Sequence, residues 1–164
     1  MELNVHAIDF NPFEKLNKRW MLLSCTDGVK ANSMTAGWGG MGVIWERDVF
    51  FCLVRPTRYT FELLQKTDTI TLSFFGEDYR KELTYLGRTS GRDEDKLALC
   101  GLTPVIEDKL VYFKEAKLVI TGKLIAQTDL AGSDLLDRDL ESFYPKKDYH
   151  RLYVCETKRA FTKD

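Results

Sequence analysis

Hydrophobic and polar positions along this chain follow mostly a period of two. From Thr69 to Phe75, Ile70, Leu72 and Phe74 alternate with Thr71 and Ser73, which puts one face of a β-strand in a core. Trp20 to Thr26 (WMLLSCT) and Val49 to Val54 (VFFCLV) are short apolar runs and read as buried strands; the first stops at the turn dipeptide Asp27-Gly28. Ala116 to Thr128 predicts a long strand bent at Gly122, and Arg151 to Thr157 predicts another. Ala31 to Trp38 reads as a polar strand or extended stretch. It leads into Gly39-Gly40-Met41-Gly42, a glycine-rich turn that is too flexible for a helix. Helical spacing is rarer. Phe61, Leu63 and Leu64 give Tyr59 to Lys66 an apolar face, and Arg80 to Leu86 and Lys96 to Leu99 suit short helices. Six or so strands with small inserted helices predict a mainly β fold, a closed or partly closed barrel. The strand–helix alternation of a doubly wound parallel sheet is missing. Without repeats or a linker, residues 1–164 read as one domain.

Composition narrows the functions. Hydrophobic residues make up 44% of the chain and charged residues 30%, enough for a core and a solvated surface. A formal net charge of −1 argues against a nucleic-acid binder, which needs basic excess to displace counterions. No stretch approaches the roughly 20 apolar residues of a membrane span, and the start (MELNVHAIDFNPF) lacks a signal-like core, so no membrane association and a cytoplasmic location are expected. Cys25, Cys52, Cys100 and Cys155 form no CxxC pair, and three of them lie in apolar runs, which predicts buried thiols. His6 and His150 are too far apart to suggest a metal site.

Four segments carry groups suited to chemistry. In Asn32 to Trp38 (NSMTAGW), small residues at Ala36 and Gly37 allow a flat ligand close to the backbone. Asn32 and Thr35 add polar side chains there, and Trp38 offers an apolar wall; a glycine-rich turn beside a core tryptophan is the plainer alternative. In Val54 to Glu62 (VRPTRYTFE), Arg55 and Arg58 precede a helix start, where free amides and the Thr57 or Thr60 hydroxyl suit a phosphate monoester. An ordinary capped helix with solvated arginines fits the same residues. In Ser90 to Lys96 (SGRDEDK), Asp93 suits a helix cap and Lys96 can reach back to an anion or carbonyl; a solvated loop is the alternative. In Lys147 to Tyr153 (KDYHRLY), His150 stands at a strand entry with Asp148 two residues away, on the same face of a strand, either as a pair or as a structural histidine. No Ser-His-Asp order, phosphate-binding Walker loop or GxGxxG motif is present.

Taken in this order, NSMTAGW, RPTRYT, SGRDEDK and DYHRLY resemble the flavin reductase-like domain family, the FMN-binding split barrel, and within it the flavoredoxin-type branch. The resemblance covers about Trp20 to Thr157. It implies a split β-barrel of Greek-key type that binds FMN non-covalently at a homodimer interface. Met34, Thr35, Ala36, Gly37 and Trp38 would then hold the isoalloxazine. Arg55, Arg58, Tyr59 and Thr60 would hold the phosphate and ribityl chain, Ser73 and Phe74 would lie near the cofactor, and Lys96 would add a contact. His150 would face the nicotinamide. The implied activity is an NAD(P)H:flavin oxidoreductase passing electrons through FMN. The alternatives are an electron carrier fed by a redox protein partner and a non-catalytic flavin-binding module. Serine at position 73, where two-component flavin reductases commonly have asparagine, points to the flavoredoxin-type branch.

Overall fold

The computed structural model describes residues 1–162. Its strands are β1 Glu2–Leu3, β2 Met21–Thr26, β3 Ala31–Ala36, β4 Gly39–Ile44, β5 Arg47–Val54, β6 Thr69–Phe74, β7 Pro104–Glu107, β8 Leu110–Phe113, β9 Leu118–Asp129 and β10 Arg151–Phe161. Its α-helices are short: α1 Pro12–Glu14, α2 Tyr59–Leu64, α3 Arg80–Arg88 and α4 Lys96–Leu99. Antiparallel ladders join the strands in the order β3-β2-β6-β9-β10-β5-β4. β1 adds to the end of β10, and β7 and β8 form a separate hairpin. The two ends of that path, β3 and β4, are consecutive in the chain and linked only through Gly37-Trp38. No ladder joins them among the described residues. The sheet therefore has a seam where it could have closed, and two strand edges border it.

Two cores explain why β2 is apolar at adjacent positions. Met21 and Leu23 pack inside the sheet with Met34, Phe50, Cys52, Leu72 and Tyr153. Leu22, between them, points to the other face, where Leu83 and Leu86 of α3, Phe113 of β8 and Val119 of β9 cover it. A strand buried on both faces loses the alternation shown by a half-exposed one. Each such side chain contributes about 1.5–3 kcal/mol by leaving water.

The expected elements appear with shifted ends, and one changes type. The run Gly39-Gly40-Met41-Gly42 is not a turn but the start of β4, paired with β5 from Gly39–Cys52 to Ile44–Arg47. Its glycines admit Phe51: a Cβ on Gly40 would lie 2.6 Å from the Phe51 ring, and one on Gly39 would lie 2.3 Å from the Phe51 carbonyl oxygen. The hairpin turns instead at Trp45-Glu46, both left-handed (φ 54° and 57°), the conformation of a two-residue hairpin loop. Asp95, not Asp93, caps α4, its carboxylate accepting from the Ala98 amide at 3.3 Å. β10 continues past Thr157 to Phe161, and α2 stops at Leu64. All four cysteines are buried and free, and burial pushes the Cys25 and Cys52 thiols up to about 12, so they are inert. Among the described residues no helix is long and apolar enough to cross a membrane.

Gly122 is set by packing: a Cβ there would lie 2.4 Å from Phe50 Cε1 and 3.0 Å from Cys155 Cβ. Gly122→Ala is expected to destabilise the fold by about 1–3 kcal/mol through overpacking. Urea denaturation measures this, and an unchanged midpoint would contradict it.

Candidate functional site

At the seam the outer edge of β3 has no strand partner, so the N–H and C=O groups of its alternate residues, those not bonded to β2, remain available to a ligand. A cleft of about 220 Å³ follows this edge. Met34, Thr35, Ala36, Gly37 and Trp38 form one wall, and Leu53, Arg55, Arg58 and His150 complete it. The polar side chains of β3 are already engaged. Thr35 Oγ1 donates to the Leu83 carbonyl, and Asn32 Nδ2 donates to Thr60 Oγ1 at 2.8 Å. What β3 offers the cleft is therefore chiefly backbone. Gly37 has no room for a side chain, because a Cβ would come within 3.0 Å of the Leu16 carbonyl and the Trp20 ring. Trp38 is 41% exposed; its ring meets Phe143 edge-on at 5.4 Å and lies 5.0 Å from the His150 ring.

Arg58 connects this cleft to a second cavity of about 100 Å³, which Asn32, Thr57, Tyr59, Arg88, Thr89, Ser90, Arg92 and Lys96 also line. Two of its cations are partly or fully removed from water. Lys96 is 2% exposed and its Nζ donates to the carbonyls of Leu86 (3.0 Å) and Thr89 (2.9 Å). Arg58 Nη1 donates to the Gly87 carbonyl at 2.8 Å. Leu86 and Gly87 belong to the last turn of α3, whose carbonyls lack helical partners and carry partial negative charge. Carbonyl dipoles hold these cations but do not neutralise them. Burial, and then the nearby Arg58 charge, lowers Lys96 to about 8; burial also lowers Arg58. Among the described residues neither cation is ion-paired with a carboxylate. Arg92 differs: its Nε donates to Glu62 at 2.9 Å and its Nη1 to the Thr57 carbonyl at 3.1 Å, fastening its loop over α2. Gly91 lets that loop close, since a Cβ there would sit 2.4 Å from Asn32 Oδ1.

Several expected site residues lie elsewhere or act differently. Arg55 does not join Arg58 in a fork. It pairs with Asp148 at 2.8 Å, donates to the Phe143 carbonyl at 2.7 Å and lies over the Tyr144 ring at 4.9 Å. Its charge is thus compensated, and it ties residues 143–148 to the cleft. Thr60 is buried and supports Asn32 rather than lining either space. Ser73 and Phe74 are buried in β6, between β2 and β9, and line neither space; Phe74 packs edge-on against Phe10 at 4.9 Å. α2 has only six residues, so anion attraction at its start must come from side chains more than from a helix dipole. The Asp148–His150 pair does not form, because both residues precede β10 and Arg55 takes the carboxylate. Instead His150 Nδ1 lies 2.8 Å from the Tyr144 hydroxyl. Burial first, and Arg55 second, lower His150 to about 4 against the opposing pull of Asp148, so the ring is neutral at pH 7.

Sequence reading missed Leu53, Arg88, Thr89, Phe143 and Tyr144. Arg88 ends α3 and meets the site only because α3 packs on β3. The aromatic pair Phe143-Tyr144, six to seven residues before His150, was the one available signal. A larger groove of about 330 Å³, lined by Glu14, Arg19, Glu77 and Arg80 among others, is less suited to an anion, since Arg19 already pairs with Glu14 and Glu77 at 2.9 Å each.

The family model of the flavin reductase like domain matches residues 13–164. No curated protein sequence matches the chain. Among solved structures, the flavoredoxin of Desulfovibrio vulgaris (Miyazaki F) is 22% identical with a TM-score of 0.69, the match covering 100% of this chain and 78% of that one. The FMN-binding protein from Thermus thermophilus with bound p-hydroxybenzaldehyde is 16% identical with a TM-score of 0.71, covering 100% and 82%. A split-barrel domain protein from Shewanella frigidimarina NCIMB 400 is 17% identical with a TM-score of 0.69, covering 97% and 77%. At these identities the likeness establishes the fold, a split barrel.

Because burial lowers the folded His150 from the ordinary 6.5 to about 4, the unfolded chain protonates first as pH falls. His150 should therefore cost stability progressively from about pH 6.5 down to about pH 4. Thermal melts at pH 7 and pH 5 should show a smaller drop for His150→Gln than for the wild type. Equal drops would contradict a buried neutral imidazole.

Proposed function

The chain belongs to the flavin reductase-like domain family, and on that premise we propose that it binds FMN across the seam and works as a flavin-dependent oxidoreductase. The observation that carries this reading is the placement of Arg58 and Lys96, withdrawn from water without a carboxylate, beside a cleft bordered by an unpaired strand edge. Uncompensated buried charge is costly, and a phosphate dianion is the ligand that offsets it. The 100 Å³ cavity, lined by Arg58, Lys96, Arg88, Thr57 and Ser90 among others, would take the phosphate. The 220 Å³ cleft takes the ring along Met34–Trp38.

Bound FMN supplies the hydride-accepting and single-electron chemistry that no side chain provides. The protein's part is positioning and electrostatics. Backbone N–H groups between Thr35 and Trp38 that are not bonded to β2 would donate to the polar edge of the ring and favour negative charge on it. Gly37 lets the Leu16 carbonyl and the Trp20 ring pack closely behind the ring site, and Trp38 would shield one side. His150, neutral and at the cleft wall, faces the electron donor or acceptor. The favoured donor is NAD(P)H. An electron carrier served by a protein partner is the second reading, favoured by the similarity to flavoredoxin. We further propose a cytoplasmic homodimer. Exposed Val43, Ile44 and Trp45 lie along and beyond the unpaired edge of β4, beside the seam, and suit a contact with a second copy.

Arg58→Ala should lose a charge-assisted hydrogen bond and weaken FMN binding by about 10- to 150-fold, while riboflavin, which lacks the phosphate, binds as before. Fluorescence titration with both flavins measures this; equal losses, or none, would contradict the phosphate assignment.

FMN affinity should also be level from pH 7 to about 8 and decline above it. The free protein's Lys96 loses its proton there, whereas phosphate holds that proton in the complex. Riboflavin affinity should show no such decline between pH 7 and 9. Rapid mixing with NADH and NADPH separates the two redox readings: fast bleaching of bound flavin supports the reductase, and its absence supports the carrier.

A further inference from the structure

We infer that Tyr144 is a positioning residue that locks His150 as a hydrogen-bond donor, its Nε2–H directed into the cleft toward the carbonyl oxygen of a planar ligand. The inference rests on reading the Met34–Trp38 cleft as the flavin ring site, since that ligand is the molecule exchanging electrons there.

The geometry begins with two buried groups. Tyr144 and His150 are 7% and 8% exposed, and the phenol oxygen stands 2.8 Å from Nδ1. Among the described residues the phenol makes no other hydrogen bond, so its proton has one acceptor, Nδ1. Aimed elsewhere, it would be a buried donor without a partner, at the cost such groups carry. A neutral imidazole that accepts at Nδ1 must carry its single proton on Nε2. Nε2 makes no hydrogen bond to the protein among the described residues, while the ring lines the cleft.

The surroundings keep the ring in that state. Arg55, from the end of β5, and Asp148, from the segment before β10, face it as an ion pair of 2.8 Å. Arg58 borders the same cleft. Tyr149 packs against Tyr144 with ring centres 4.8 Å apart and planes tilted by 38°. Two arginines and one carboxylate therefore surround the imidazole, and a proton added at Nδ1 would also displace the Tyr144 hydrogen bond. The ring consequently serves as a fixed neutral donor and not as a base. A neutral donor between the Trp38 ring and the Arg55-held segment suits an uncharged planar carbonyl compound. A nicotinamide carboxamide and an aromatic aldehyde share that chemistry.

The test is long-range ¹H–¹⁵N correlation of ¹⁵N-histidine-labelled protein without FMN, with His6→Gln used to assign the two rings. The inference predicts the Nε2–H tautomer for His150 in the wild type and a mixture of tautomers in Tyr144→Phe. An Nδ1–H tautomer in the wild type, or an unaltered Nε2–H population in Tyr144→Phe, overturns it. Should Tyr144→Phe not fold, His150→Gln and His150→Asn decide. The glutamine amide can occupy the Nε2 position and the asparagine amide the Nδ1 position. With nicotinamide and benzaldehyde as separate probes of FMN-loaded protein, His150→Gln should keep affinity within about threefold and His150→Asn should lose roughly tenfold. The reverse order overturns the inference, and the probe that responds identifies the ligand source. Failure of the wild type to take up FMN would sink the flavin reading instead, and the tautomer of the FMN-free protein would still decide this one.

Discussion

Positive charge held out of water without a matching negative charge is the constraint around which this molecule is arranged. Lys96 and Arg58 are solvated by three carbonyls at and just beyond the C-terminal end of α3. Dipoles of that kind orient a cation, but they leave its charge unbalanced. For α3 to present those carbonyls, it must lie against β3, and it does so through the outer core of Leu22, Leu83 and Leu86 and the Thr35 hydrogen bond to Leu83. The hydrophobic packing of one sheet face thus positions the polar chemistry of the site.

The seam supplies the other half. A sheet that closed between β3 and β4 would use up the backbone groups on both edges. Here the chain passes between those strands through Gly37-Trp38 without a ladder, and the cleft occupies that line. Edge strands are normally a liability that proteins cover or blunt. In the proposed arrangement the edge of β3 is covered by a flat heteroaromatic ring, and the adjacent buried Lys96 and half-buried Arg58 secure that ring by its phosphate.

Fold class was legible because β6 alternates and β2, β5 and β9 are rich in apolar or β-branched residues, signals that depend on local period alone. β4 was not legible. Its glycines resemble a turn, and only the Phe51 ring, brought across by the ladder, explains them. The same division holds at the site. The segments containing Arg58, Lys96 and Gly37 could be picked out from residue type and order. Which arginine stays unpaired could not, because Arg55 is claimed by Asp148, 93 positions later in the chain, a partnership that tertiary structure creates. Tyr144 escaped notice for a similar reason: its role depends on a hydrogen bond across an irregular segment with no periodicity to read.

The proposed meeting of Lys96 and Arg58 with a phosphate is open to direct observation by ³¹P NMR of FMN bound to the protein, followed from pH 8 down to pH 5. A free phosphate monoester takes up a proton near pH 6. Held between Arg58 and Lys96, the bound phosphate should remain a dianion well below that point, its resonance nearly constant while that of free FMN moves. A bound resonance that titrates along with free FMN would show that these cations do not hold the phosphate, and the account of the site would fail.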